Sequence, residues 1–164
     1  SGPISNIYKI KLGNNDNAKE ISEKLSLLAA EKILGEVDNI LQDKAKFIDQ
    51  DHTKASYAYK IEKSEGHINW TDNASKIIGK INGLFPKPGA FFNFQGERYK
   101  ILKAEIGNGM GQAGEVLSSK LEIACADKES IKISQIQRQG KKPQKISEFM
   151  LGSHIKKGSI ISNV

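Results

Sequence analysis

Residues 90–106 read AFFNFQGERYKILKAEI, and the alternation inside this stretch decides the fold. Two runs rich in aromatic and β-branched residues, 90–95 and 97–106, flank Gln95-Gly96, which is expected to turn the chain into a hairpin. The second run changes phase midway. Tyr99 and Ile101 share one parity; Leu102, Ala104 and Ile106 take the other. A phase change within a strand marks a bulge, or a strand that bends from one packed layer to another. Residues 130–138 repeat the slip, with Ile131 and Ile133 followed by Ile136. Bent strands are what a small closed barrel uses. Further strands are expected at 114–120 and 121–127, after the turn Asn108-Gly109-Met110-Gly111. Five short strands with one flanking helix predict an OB-like β-barrel, the oligonucleotide/oligosaccharide-binding type, over residues 68–164.

The flanking helix is expected just upstream. Ile68-Asn69-Trp70 opens this region, and Thr71 is placed to cap a helix with Ala74, Ile77, Ile78 and Ile81 on one face. Gly83 and Pro86 stop it, and Pro86-Lys87-Pro88-Gly89 is a rigid turn. Downstream, a short helix near Ser147–Leu151 and a strand-like run from Ser159 to Ser162 finish the chain.

The N-terminal stretch has a different pattern. Tyr8, Ile10 and Leu12 alternate with Lys9 and Lys11, predicting a strand over 4–12. Asn17 and Glu20 form an Asn-x-x-Glu capping box. Ile21, Leu25, Leu28, Ala29, Ile33, Val37, Ile40 and Leu41 then make one apolar face of a helix over about 18–43, with Gly35 a point for a bend. One strand and one helix do not bury such a stripe, so this piece is expected to be the last unit of an α/β domain, or else its helix packs on the second region. Residues 45–67 are polar and without period, and read as a connector anchored by Tyr57 and Tyr59. The expected organisation is α+β: a strand–helix piece at 1–44, a linker at 45–67 and the barrel at 68–164.

Composition narrows the function classes. The chain has 164 residues, 38% hydrophobic and 27% charged, a soluble balance. It has no run of 18 apolar residues and no signal-like opening, so a cytoplasmic protein is expected; a monomer is expected as well. The single Cys125 shares parity with Leu121 and Ile123 and is expected to be buried. Residues 1–56 carry eight Lys/Arg against nine Asp/Glu. Residues 57–164 carry seventeen against ten, so the positive charge is concentrated there. Such a surplus either meets phosphates or merely keeps the protein soluble.

No catalytic constellation is legible. His52, His67 and His154 share no metal-ligand spacing, and each is expected to be a surface or structural residue. Gly107-Asn108-Gly109-Met110-Gly111 leads into a strand, not the helix N-terminus a dinucleotide site needs. The basic residues carry more information. Lys132 and Arg138 share a parity on 130–138, and Gly140-Lys141-Lys142-Pro143-Gln144-Lys145 follows in an open turn. Arg98, Lys100 and Lys103 lie on a neighbouring strand. Lysine is a point charge suited to phosphates without base reading, so the expected contact is to the backbone of a structured nucleic acid.

Five motifs occur in order: Ala55-Ser56-Tyr57-Ala58-Tyr59-Lys60-Ile61, Ile68-Asn69-Trp70, Pro86-Lys87-Pro88-Gly89-Ala90-Phe91, Gly114-Glu115-Val116-Leu117 and Gln137-x-x-Gly140-Lys141-Lys142. Together they resemble the C-terminal portion of the methionyl-tRNA formyltransferase family, over essentially the whole chain. The resemblance implies transfer of a formyl group from 10-formyltetrahydrofolate to the amino group of initiator methionyl-tRNA. The family's catalytic Asn, His and Asp would lie upstream of Ser1, so the chain alone is expected to be inactive and to bind no cofactor. Lys141 and Lys142 match the family's Gly-Lys-Lys, and Arg138, Lys132, Lys145 and Lys87 join them as expected tRNA contacts. Gly2, Pro3 and Ile4 match the edge of the active-site loop. Asn69, Asn82 and Lys87 depart from the family's usual Asp, Arg and Trp. A nucleotide-sugar formyltransferase and a stand-alone RNA-binding barrel are the competing expectations.

Overall fold

The computed structural model describes residues 2–163, and the chain divides into two units, Ser1–Lys60 and Ile61–Val164.

In the first unit a single helix dominates, α1 (Ala18–Leu41). Its N-terminus is built as the sequence predicts. The Asn17 side chain accepts from the Glu20 amide at 3.1 Å, and the Glu20 carboxylate accepts from the Asn17 amide at 3.0 Å. The helix runs unbroken through Gly35. None of its residues is buried; Leu27, Leu34 and Leu41 are the most open of its apolar side chains. The strand expected over 4–12 does not form. A strand needs a partner for its amides, and only Ile4 finds one, exchanging backbone hydrogen bonds with Ile48 at 2.8 and 2.9 Å. The segment is held instead by side chains: Asn6 Nδ2 and Tyr8 Oη donate to the Glu36 carboxylate of α1 at 2.7 and 2.6 Å.

The second unit carries the core. Its elements are α2 (Ala74–Gly83), β1 (Ala90–Phe94), β2 (Glu97–Gly107), β3 (Glu122–Ala124), β4 (Ser130–Arg138), β5 (Gln144–Lys145) and α3 (Ile146–Leu151). All the pairings are antiparallel, in the order β1-β2-β4-β3 with β5 on β4. The ladders form an open antiparallel sheet, which the helices complete into an α+β unit. Trp70, Phe92, Ile101, Ile131 and Ile136 are essentially inaccessible beneath α2, whose Ile77 and Ile81 close over them. Each such side chain contributes about 1.5–3 kcal/mol by leaving water. Rings of Trp70, Phe92, Tyr99 and Phe149 follow one another at centroid spacings of 5.4–5.9 Å.

The β1–β2 turn at Gln95-Gly96 places both residues at positive φ, 49° and 79°. That matches the twist of the flanking strands. Both phase slips read from the sequence are bulges. Register passes from Ile101↔Ile136 to Lys103↔Gln135 to Ala104↔Ile133, leaving Leu102 unpaired on β2 and Ser134 unpaired on β4.

Several expectations need correction. The cap of α2 is Asn73, whose side chain accepts from the Lys76 amide at 2.9 Å. Thr71 instead donates its amide and hydroxyl to the Asn69 side chain. Residues 114–120 form no strand, only the bridges Glu115↔Ile160 and Val116↔Ile123. Gly114 at φ +86° and Leu121 at φ +54° turn the chain too sharply for a continuous ladder. The strand expected at 121–127 shrinks to three residues, because the chain turns away at Asp127 and Lys128, both at φ +58°. The run 159–162 is reduced to its bridge at Ile160. Cys125 is buried as expected, and burial pushes its thiol up to about 12. Among the described residues no helix is long and apolar enough to cross a membrane.

Candidate nucleic-acid interface

The chain leaves β4 at Arg138 and reverses at Gly140, whose φ of +71° suits a residue without a Cβ. Lys141 N donates to the Arg138 carbonyl at 3.0 Å, and Gln137 Nε2 donates to the Lys141 carbonyl at 2.8 Å. These two bonds fix a turn whose side chains, Lys141 and Lys142, remain exposed. Beside the turn is an open pocket of about 390 Å³. Arg138, Lys141 and Lys142 supply its cations, His154 an imidazole, Glu148 a carboxylate, and Tyr99 and Phe149 an aromatic wall.

Arg138 is not free in this pocket. Its guanidinium is ion-paired with Glu97, which also accepts from Tyr99 Oη at 2.8 Å. The Arg138 hydrogen bond, then that of Tyr99, holds the Glu97 carboxyl below its usual range. Burial, then Glu97, pushes the Tyr99 phenol up to about 12. The arrangement offers charge-assisted donors to an oxyanion and an aromatic wall to a flat group. Among the described residues no group of three or more His, Cys, Asp or Glu side chains could hold a metal.

The bulge at Ser134 separates two residues that the sequence places together. Before the bulge, Lys132 alternates with buried Ile131 and Ile133 and stands opposite Glu105 and Glu122. After it, Arg138 shares the face of Ile136 and pairs with Tyr99. Lys132 and Arg138 therefore lie on opposite faces of β4, and only Arg138 reaches the pocket. Lys145, the N-cap of α3, and Lys87, in the turn before β1, are exposed and outside the pocket. Gly2, Pro3 and Ile4 belong to the first unit, where Gly2 accepts from Gln50 Nε2 at 2.6 Å.

Sequence reasoning missed His154, Glu97, Glu148 and the aromatic wall. The parity of Glu97 and Tyr99 was legible, but their meeting with Arg138 depends on the cross-strand register. His154 reaches the pocket only through the short helix α3 and the turn after it.

Fold and pocket together define an antiparallel α+β module with an exposed cationic turn beside an open pocket. Residues 60–154 match the family model described as formyl transferase, C-terminal domain, and the chain belongs to that family. It is 64% identical over its whole length to a methionyl-tRNA formyltransferase of Pelagibacter ubique, covering 53% of that relative. It is 38% identical over 87% of its length to the methionyl-tRNA formyltransferase of Rickettsia massiliae, covering 47% of it. The chain thus spans about half the length of the curated relatives it matches. A solved N-formyltransferase of Helicobacter canadensis, in complex with folinic acid and dTDP-3-aminofucose, shares the fold. The TM-score is 0.60 at 17% identity, over 80% of this chain and 49% of that one.

Proposed function

We propose that this chain is the C-terminal part of a methionyl-tRNA formyltransferase, and that its second unit holds the tRNA. The full enzyme would transfer the formyl group of 10-formyltetrahydrofolate to the amino group of initiator methionyl-tRNA. The observation that carries this reading is the Gly140-Lys141-Lys142 turn, exposed beside a pocket walled by Arg138 and His154, in a chain 64% identical to a protein of that name. Lys141 and Lys142 contact phosphates first. Arg138 contributes once released from Glu97, and Lys132, Lys145 and Lys87 extend the contact over neighbouring surfaces. The enzyme acts in the cytoplasm as a monomer.

In this reading residues 1–44 close the catalytic α/β domain and 45–67 link it to the tRNA-holding domain over 68–164. The uncovered apolar side chains of α1 and the doubled length of the relatives support it. The second unit is proposed to be OB-like, since the two bulges give its central strands the bends such barrels use. Gly2, Pro3 and Ile4 would border the active-site loop. The groups bonded to Gly2 and Ile4 are Gln50 Nε2 and the Ile48 backbone, which offer a folate neither charge nor acid-base chemistry. No chemical step is therefore assigned to this chain.

The test is affinity for initiator methionyl-tRNA as a function of salt, in the protein as its gene encodes it. Changing Lys141 and Lys142 together to Gln should shallow the log–log slope by about 0.7–0.9 for each lost phosphate contact. An unchanged slope would remove the turn from the interface. Turnover with methionyl-tRNA and with an amino-sugar nucleotide separates this reading from a sugar formyltransferase: the first acceptor should be formylated and the second left intact.

A further inference from the structure

A second cationic cluster lies on the other side of the β1–β2 hairpin, around Phe91. In register, Phe91 pairs with Lys100, and Asn93 with Arg98. This row alternates with the buried row of Phe92, Tyr99 and Ile101, so it faces away from the core. Phe91 is nevertheless almost fully covered, by Arg98, His67 and Gly66. The Arg98 guanidinium sits 4.1 Å from its ring centroid, and His67 meets the ring edge-on at 5.3 Å. A Cβ at Gly66 would be only 3.2 Å from the Phe91 ring. Lys80 of α2 donates from Nζ to the His67 carbonyl at 2.9 Å. The stem of Lys100 runs so close to Gly89 that a Cβ there would meet its Cδ at 2.6 Å.

Charge balance sets this cluster apart. Arg138 already has a carboxylate partner. Among the described residues, Lys80, Arg98 and Lys100 have none. Arg98 donates no side-chain hydrogen bond to a described residue, while the ring beneath holds its position. Its planar fork is therefore available to an oxyanion at reduced entropic cost. His67 registers the uncompensated field: burial first, then Lys80 and Arg98, lower its pKa. Its Nε2 is buried and unpartnered.

The cluster is also continuous with the turn described above. Lys100 pairs across the ladder with Gln137, whose side chain donates to the Lys141 carbonyl. We propose that Lys80, Arg98 and Lys100, gathered around His67 and Phe91, form a second phosphate-backbone contact for RNA, joined through Gln137 to the Lys141–Lys142 turn. This rests on the reading of the chain as a tRNA-holding module, and deepens it by placing the second grip.

Salt-dependent binding of initiator methionyl-tRNA to the encoded protein tests it. The Arg98→Gln, Lys100→Gln double variant should lower the log–log slope by about 1.4–1.8, two contacts' worth. If that slope is unchanged while Lys141→Gln, Lys142→Gln lowers it, the second grip is refuted and the tRNA reading survives. If the wild type binds no tRNA, both fall. A second readout needs no variant: the His67 ring, followed by NMR, should titrate at higher pH with tRNA bound than without, because phosphates offset Lys80 and Arg98. An unmoved titration overturns the proposal. So does competition by polyglutamate as effective as that by tRNA, which would mark the cluster as a docking surface for acidic protein.

Discussion

Glu97 restrains the residue that its own pocket presents. It is a carboxylate beside a cationic cavity, hydrogen-bonded to both Arg138 and Tyr99. Because Arg138 lowers its pKa, the stabilisation from this pair is complete above the unfolded-state value of about 4.3. It is lost as pH falls through the lower folded-state value. Replacing Glu97 with Gln should free the guanidinium at every pH. RNA affinity at low salt should then rise and the log–log slope steepen by about 0.7–0.9, one added contact; a weaker complex would mean that Glu97 positions Arg138 rather than masking it. Cys125 gives a second single-residue test. Its buried thiol, raised to about 12, is almost wholly protonated near neutrality. Thiol-specific labelling at pH 8 should be negligible in the folded protein and rapid in denaturant.

At the scale of elements, the second unit is joined by short segments as much as by strands. The 114–117 segment forms no ladder, yet it ties β3 to the C-terminal tail. Gly114 N donates to the Ala124 carbonyl, Val116 N to Ser159, and Ile161 N to Gly114, each at 2.9 Å. Gly114 sits at φ +86°, and a Cβ there would press into the Ile161 carbonyl. Gly114→Ala should therefore cost more than about 1 kcal/mol. That is a fall of more than about 4 °C in the melting temperature of a unit this size; an unchanged melting curve would show that the tail bears no load. The same segment shows where sequence reading stops. Gly114-Glu115-Val116-Leu117 has apolar residues and β propensity. Whether it becomes a strand depends on partners brought from residues 158–161, which no local pattern specifies. The bulges were legible because they displace apolar residues within one strand. The faces of Lys132 and Arg138 were misread because the displacement was not carried through to the charged residues between. Asn73 was overlooked as a cap because Thr71 suits the role as well by residue type, and Asn69 had already engaged it.

Across the whole chain, the two units differ in what holds them. The second has a core of inaccessible aromatic and branched side chains; α1 of the first has a capping box, the Glu36 hydrogen bonds and no buried residue. Helices owe most of their stability to a packed face. Hydrogen exchange should accordingly be faster by orders of magnitude in α1 than in β2 and β4 for this 164-residue chain. Equal protection would contradict the difference in packing. The existence of the long N-terminal helix was plain from its periodicity and cap. The pocket was not, because it is assembled from β2, β4, α3 and the turn after α3.

The paired irregularities at Leu102 and Ser134 have a consequence for how such a chain tolerates change in length. Each adds one unmatched residue to its own strand, and the two cancel, so the partners at both ends of the β2–β4 ladder keep the same relation. Removing either residue alone would leave one half of the ladder a step out of phase, exchanging its wet and dry sides. Removing both would restore pairing throughout but straighten the strands at their midpoint. Insertions and deletions here are thus permitted in complementary pairs, and even a permitted pair would alter the curvature on which the cationic surface is displayed.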